Sequence, residues 1–95
     1  MGSEMDVKEA VTVAKQHILD IFREEGVENL GLEEVERDNQ QGEWFVTVGF
    51  SRPWDMPRNA LATLAGGVPR RVYKIVRISE NTNHVLSVKD REAHA

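Results

Sequence analysis

Apolar residues recur at Val7, Val11, Ala14, Ile18, Ile21 and Phe22, at spacings of four, three, four, three and one. That is the period of one stripe along an α-helix, and it predicts a helix over about residues 4–25. Ser3, followed three residues later by Asp6, resembles a capping box, with a carboxylate near the positive end of the helix dipole. Gly26 stands where a left-handed C-cap belongs, and Val27 follows as its apolar contact. Glu24 and Glu25 then fall in the last turn, where they oppose the dipole. Val13 and Leu19 flank the stripe, so the helix is expected to lie in the broad groove of a curved sheet.

The period then changes to two. Leu30, Leu32 and Val35 are apolar within an acidic segment that ends at Asp38, and the alternation slips between Leu32 and Val35. A slip of that kind predicts a bulge or an edge strand. Asn39 to Gly42 is a turn, with Gly42 free to take positive φ. Trp44, Val46, Val48 and Phe50 alternate with Phe45, Thr47, Gly49 and Ser51, which makes the clearest strand of the chain; the first set should face the helix. Val72 to Ile78 reads as a third strand, with Val72, Val76 and Ile78 on one side and Tyr73 and Ile75 on the other. Glu80 to Asn83 is a tight turn in which Asn83 is the residue best suited to positive φ. Val85 to about Lys89 closes the sheet, and Asp90 to Ala95 reads as a polar tail.

Between the second and third strands the pattern breaks. Pro53, Pro57, Gly66, Gly67 and Pro69 punctuate residues 52–70, and Asp55 could cap a short helix from Pro57 to Ala65. Connections of this length in a small domain are commonly functional. Trp54 and Met56 lie between prolines, beside Arg52 and Arg58. Prolines lower the entropy lost when a loop is fixed in a contact, and tryptophan and arginine are enriched at interface hot spots. Trp54 reads equally well as a lid over the open end of the core.

Charge adds to this picture. The net charge is −4, but residues 1–50 carry four bases and twelve acids, whereas residues 51–77 carry six bases and one acid. The bases include Arg52, Arg58, Arg70, Arg71, Lys74 and Arg77. Such a balance predicts either one mildly basic end or a basic surface for an acidic partner. Arg71, Tyr73 and Arg77 share a strand face and could in principle meet phosphates and bases, but the acidic total and the lack of a paired aromatic motif make nucleic acid a poor candidate. The 95 residues suffice for one core. With no cysteine, disulfides, thiolate catalysis and cysteine zinc sites are excluded. No apolar run reaches the roughly 20 residues of a membrane helix. No signal peptide is visible, which favours a cytoplasmic location; Met1-Gly2-Ser3 reads as a cloning remnant ahead of Met5, and a trimmed signal or longer parent chain is consistent with that.

The histidines are His17, His84 and His94, and none has the spacing with a partner that a zinc site needs. No metal, cofactor or catalytic residue is assigned. His17 and Asp38 form the one conceivable acid–base pair. Ser51, Ser79 and Ser87 lack any motif, and no Lys-Ser/Thr follows Gly66-Gly67 to make a phosphate loop.

The leading amphipathic helix, the strand Trp44-Phe45-Val46-Thr47-Val48, and the run Val72-Tyr73-Lys74-Ile75-Val76-Arg77-Ile78 leading to Thr82-Asn83-His84-Val85-Leu86 together resemble a PepSY-like domain. The resemblance covers most of residues 6–90. In that family an apolar strand ends in an acidic turn and a Thr-Gly pair before a Val-Leu step. Here Asn83 replaces the glycine, and Ser79-Glu80 replaces an aspartate. The resemblance implies a binding or inhibitory module, of a kind associated with proteases and the cell envelope. The same helix-on-sheet plan is similar to the wider cystatin-like and NTF2-like group, which includes immunity proteins. Leu64-Ala65-Gly66-Gly67-Val68 is faintly similar to a cystatin inhibitory loop, but two strands precede it rather than one, and the leading glutamine is absent.

The expected fold is therefore α+β: a helix on a curved four-stranded antiparallel sheet, spanning residues 4–92 as one domain with 93–95 as a tail. The expected function is non-enzymatic protein binding or inhibition through residues 52–70 and the adjoining basic strand. The residues expected to make the contact are Arg52, Trp54, Met56, Arg58, Arg70, Arg71 and Tyr73. An immunity-type inhibitor is a particular form of that reading, and an NTF2-like ligand-binding or enzymatic domain using His17 and Asp38 is the alternative. Phe45, Thr47, Tyr73 and Ile75 make the other sheet face apolar for a solvent surface, which suggests a second copy as a further partner.

Overall fold

The structure, a computed structural model, describes residues 5–53 and 71–91. Helix α1 spans Val7–Ile21 and starts at the N-cap Asp6. The Asp6 carboxylate accepts the Glu9 N–H at 2.8 Å, and the Glu9 carboxylate accepts the Asp6 N–H at 2.9 Å. Two donors that the first helical turn would leave unpaired are thereby satisfied. The capping box is thus Asp6–Glu9 and not Ser3–Asp6, because the chain enters the helix one turn later than its acidic start suggested. The helix also stops earlier than the stripe implied. Its C-cap is Phe22, and a turn then leads to Gly26 at φ +85°. Glu24 and Glu25 therefore lie beyond the helix. Pro53 packs on Gly26 so closely that a Cβ there would stand 3.1 Å from its ring, so both the backbone angle and the space call for glycine.

Four strands follow: β1 Glu28–Asp38, β2 Glu43–Ser51, β3 Val72–Ser79 and β4 Val85–Asp90. They form an antiparallel sheet in the order β1-β2-β3-β4, an open meander with β1 and β4 at its edges. The slip in the β1 pattern is real: its register against β2 shifts between Glu28 and Gly31 and again between Leu32 and Glu34. Asn29 takes φ 58° within this irregular stretch. Asn83 takes φ 62° in the β3–β4 turn, the position glycine would otherwise hold. Asp90, expected in a tail, is the last residue of β4 and faces Lys74. The short helix expected at 57–65 lies outside the described residues.

The two faces of the sheet separate by the two-residue period. On the inner face, Trp44, Val46, Val48 and Phe50 of β2 and Val76 and Ile78 of β3 are buried. Helix α1 lies across them, closest to β2, and buries Ala10, Ala14 and Ile18. Two alanines in that line let the helix approach the sheet. Val7 and Ile21, counted in the predicted stripe, are the end residues of the helix and stand 44% and 49% exposed. The open end of the core is filled by Phe22, whose ring centroid lies 5.3 Å from that of Phe50. The opposite end is closed by Arg37, which forks onto Glu80 at 2.7 and 2.9 Å, while the Glu80 N–H bonds the Gly42 carbonyl and ties the two hairpin turns together.

Candidate functional site

Three of the residues singled out from sequence, Arg52, Arg71 and Tyr73, converge on one open cleft of about 400 Å³ at the end of the sheet. Trp54, Met56, Arg58 and Arg70 lie outside the described residues. Arg52 is just past the end of β2, Arg71 just before β3, and Tyr73 at its start. Lys74, Asp90 and Arg91 complete the wall. Arg91 was hidden from sequence by the expected tail. Its N–H bonds the Tyr73 carbonyl at 3.0 Å and extends the β3–β4 pairing by one residue.

A row of bases in sequence becomes a row of pairs in space. Arg71 donates to the Asn29 carbonyl at 2.9 Å and lies 3.3 Å from the Glu33 carboxylate. Arg52 lies 3.9 Å from Glu25, and Arg91 3.7 Å from Glu34. Lys74 bonds Asp90, whose pKa is held below its ordinary value by that hydrogen bond and by the ammonium charge. The Lys74 ammonium also sits 5.4 Å above the Phe22 ring. Four bases thus meet four acids, of which Asp90 lines the cleft and Glu25, Glu33 and Glu34 lie beside it. Most of these acids come from the acidic first half of the chain. Among the described residues, much of the charge asymmetry of the sequence is therefore matched by pairing in space.

Gly49 explains how Arg71 and Tyr73 are placed. A Cβ on Gly49 would stand 2.8 Å from Arg71 Nη2, 2.9 Å from Tyr73 Cε1 and 3.0 Å from Glu33 Oε2. Only a residue without a side chain lets these groups lie flat on β2. Further along the same face, Arg77 forks onto Glu43 at 2.7 and 3.1 Å. That pairing lowers the Glu43 pKa and raises that of Arg77. With Arg71 and Arg77 both engaged by carboxylates, the strand face considered for phosphates is neutralised as well.

His17 and Asp38 do not meet. His17 lines a groove of about 610 Å³ between α1 and the β3–β4 turn, with Asp20 and His84. Asp38 lines a different groove with Glu43 and Arg77, and its carboxylate accepts the N–H of Gln40 at 3.0 Å within the β1–β2 turn. Among the described residues no group of three or more His, Asp or Glu is arranged to hold a metal ion. No helix among them is long and apolar enough to cross a membrane. Among the described residues one buried polar atom stands out: the Trp44 indole N–H has no hydrogen-bond partner there. It faces Glu80 closely enough to help keep that carboxylate ionised, after the larger effects of the Arg37 hydrogen bond and charge.

Fold and site together define a small α+β domain: one helix on one face of an open four-stranded meander, with a paired-charge cleft where residues 54–70 leave and rejoin the sheet. No protein-family model matches the chain, and no curated protein or solved structure does either.

Proposed function

We propose that the chain is a non-enzymatic protein-binding or inhibitory module that meets its partner at the mouth of the 52–70 segment. The observation that carries this reading is the convergence of Arg52, Arg71 and Tyr73 on one open cleft from both ends of a segment they bracket. Trp54, Met56, Arg58 and Arg70 belong to that segment and complete the proposed surface. The arginine pairs at 3.3 and 3.9 Å are partly exposed, and such pairs contribute little to stability, so a partner's carboxylates can exchange with Glu33 and Glu25 at low cost. The tyrosine and the tryptophan supply rigid contact area. Polar recognition here is by exchange of partners rather than by long-range attraction. The PepSY-like pattern of the strands agrees with a binding or inhibitory role, and an immunity-type inhibitor is the most specific version of it. The NTF2-like alternative draws no support from His17 and Asp38, which line separate grooves.

The test is affinity capture from lysate of the source organism, read by mass spectrometry. Wild type is run beside Trp54→Ala/Arg58→Ala, Arg52→Ala/Tyr73→Ala and an outer-face variant, Ile75→Asp. A protein retained by wild type and Ile75→Asp but lost with both of the other variants supports the reading. A protein retained equally by all four, or lost only with Ile75→Asp, rejects this location.

A further inference from the structure

We infer that a second copy of this chain docks face to face on the outer side of the sheet, about a two-fold axis parallel to the strands. Each copy's β1 then lies over the other's β4. This surface adjoins the cleft proposed above, sharing Arg91 with it, but does not depend on it.

The outer face is read from the register. Glu36, Phe45, Arg77 and Ser87 form one row across the four strands, and Glu34, Thr47, Ile75 and Lys89 form the next. These residues alternate with the inward set, so they point away from α1. Phe45 and Ile75 occupy the centre and are only half-buried. They are shared by two adjoining grooves, of about 450 and 190 Å³. An aromatic and a β-branched residue at the middle of a charged face form the usual arrangement of an interface core with a polar rim.

The rim supplies the orientation. Acids line the β1 side, at Glu34 and Glu36, and bases line the β4 side, at Lys89 and Arg91. Arg77 is already engaged by Glu43, and Arg91 by Glu34. Glu36 and Lys89 have no ion-pair partner among the described residues. A two-fold axis along the strands exchanges the left and right edges and preserves height along the strand. Lys89 of one copy then meets Glu34 of the other, with Glu36 one row away. Rows on one face are about 6.8 Å apart, within reach of a lysine. Both contacts occur twice by symmetry. An axis across the strands would instead set β1 on β1, acid on acid. The face is small: four strands about 4.8 Å apart and about 20 Å long give roughly 400 Å², half of a standard interface per partner. The dimer is therefore weak, concentration-dependent and sensitive to salt.

Sedimentation velocity over a wide concentration range, at low and high salt, tests this. Wild type is expected to pass from one chain to two as concentration rises. Glu36→Lys and Lys89→Glu are each expected to raise the dissociation constant about tenfold or more, because each strikes both symmetric contacts. An equimolar mixture of the two variants is expected to associate more tightly than either variant alone. The Glu36→Lys side chain of one copy gains the Lys89→Glu side chain of the other, the second symmetric contact is wild type, and only the Glu34 beside the substituted position 89 stays unmatched. Both substitutions are at exposed positions, and circular dichroism checks that the fold is kept. Arg52→Ala should leave association unchanged, which separates this surface from the cleft. A wild type that stays monomeric throughout overturns the inference. So does a dimer indifferent to both reversals, or a mixture that fails to recover.

Discussion

The inner and outer faces of the sheet are built from alternate residues of the same strands, yet they are held by different forces. On β2, Trp44, Val46, Val48 and Phe50 face α1 and are dry, and their stability comes from apolar area removed from water. On the other side of the same strand, Thr47 is 4% exposed although no helix among the described residues covers it. Its neighbours are long charged side chains lying across the sheet: Arg91 reaching Glu34, Arg71 reaching Glu33, Arg77 forked onto Glu43. The inner face is closed by a separate element, the helix, which packs its buried residues against the sheet. Among the described residues, the outer face is covered by its own side chains, which can be rearranged. A partner can compete for the second kind of cover and not for the first.

Substitutions matched across the two faces sharpen this contrast. Phe50→Ala on the inner face removes a fully buried ring and is expected to cost about 3–5 kcal/mol. Phe45→Ala, next but four along the same strand and half-buried on the outer face, should cost about 1–2 kcal/mol. Urea denaturation measures both, and equal losses would break the distinction. Gly49→Val comes next in size. Its side chain would push Arg71, Tyr73 and Glu33 off the outer face, at a cost of about 1–3 kcal/mol. A cost near zero would mean that those groups move aside freely and that the cover is looser than described.

The smallest effect concerns pH. Glu43 and Glu80 both have pKa values lowered from 4.5, chiefly by hydrogen bonds from Arg77 and Arg37. Lowered carboxylates bind fewer protons folded than unfolded, so their pairing stabilises in full above about pH 4.5 and is lost as the pH falls through the folded values. Stability should therefore drop below that pH. Glu80→Gln should lower stability at neutral pH and flatten the acid limb, which chemical denaturation at a series of pH values would reveal. An unchanged acid limb would remove Glu80 from the account.

Much of the fold could be read from the chain. The helix, four strands, the irregular first strand and positive φ at Asn83 follow from periods of 3.6 and 2 and from turn chemistry, all of which are local. The errors lie where locality fails. Val7 and Ile21 fit the stripe but sit at the helix ends, whereas Ala10, too small to register in the pattern, is fully buried. Asp90 and Arg91 looked like a tail because polar residues at an edge strand are indistinguishable from a loop until their partners Lys74 and Tyr73 are known.

The sequence by itself determined which segments are helical or extended and which strand faces are apolar, because these depend on neighbours a few residues away. Only the tertiary structure decided what the charges do. Arg52, Arg71 and Arg77 stand together in a basic stretch, and nothing local says that Glu25, Glu33 and Glu43 will lie beside them. Those pairings join residues 27 to 38 positions apart, brought within 4 Å by the folding of the sheet and the turn after the helix. Coulomb energy depends on that distance in space and not on separation along the chain.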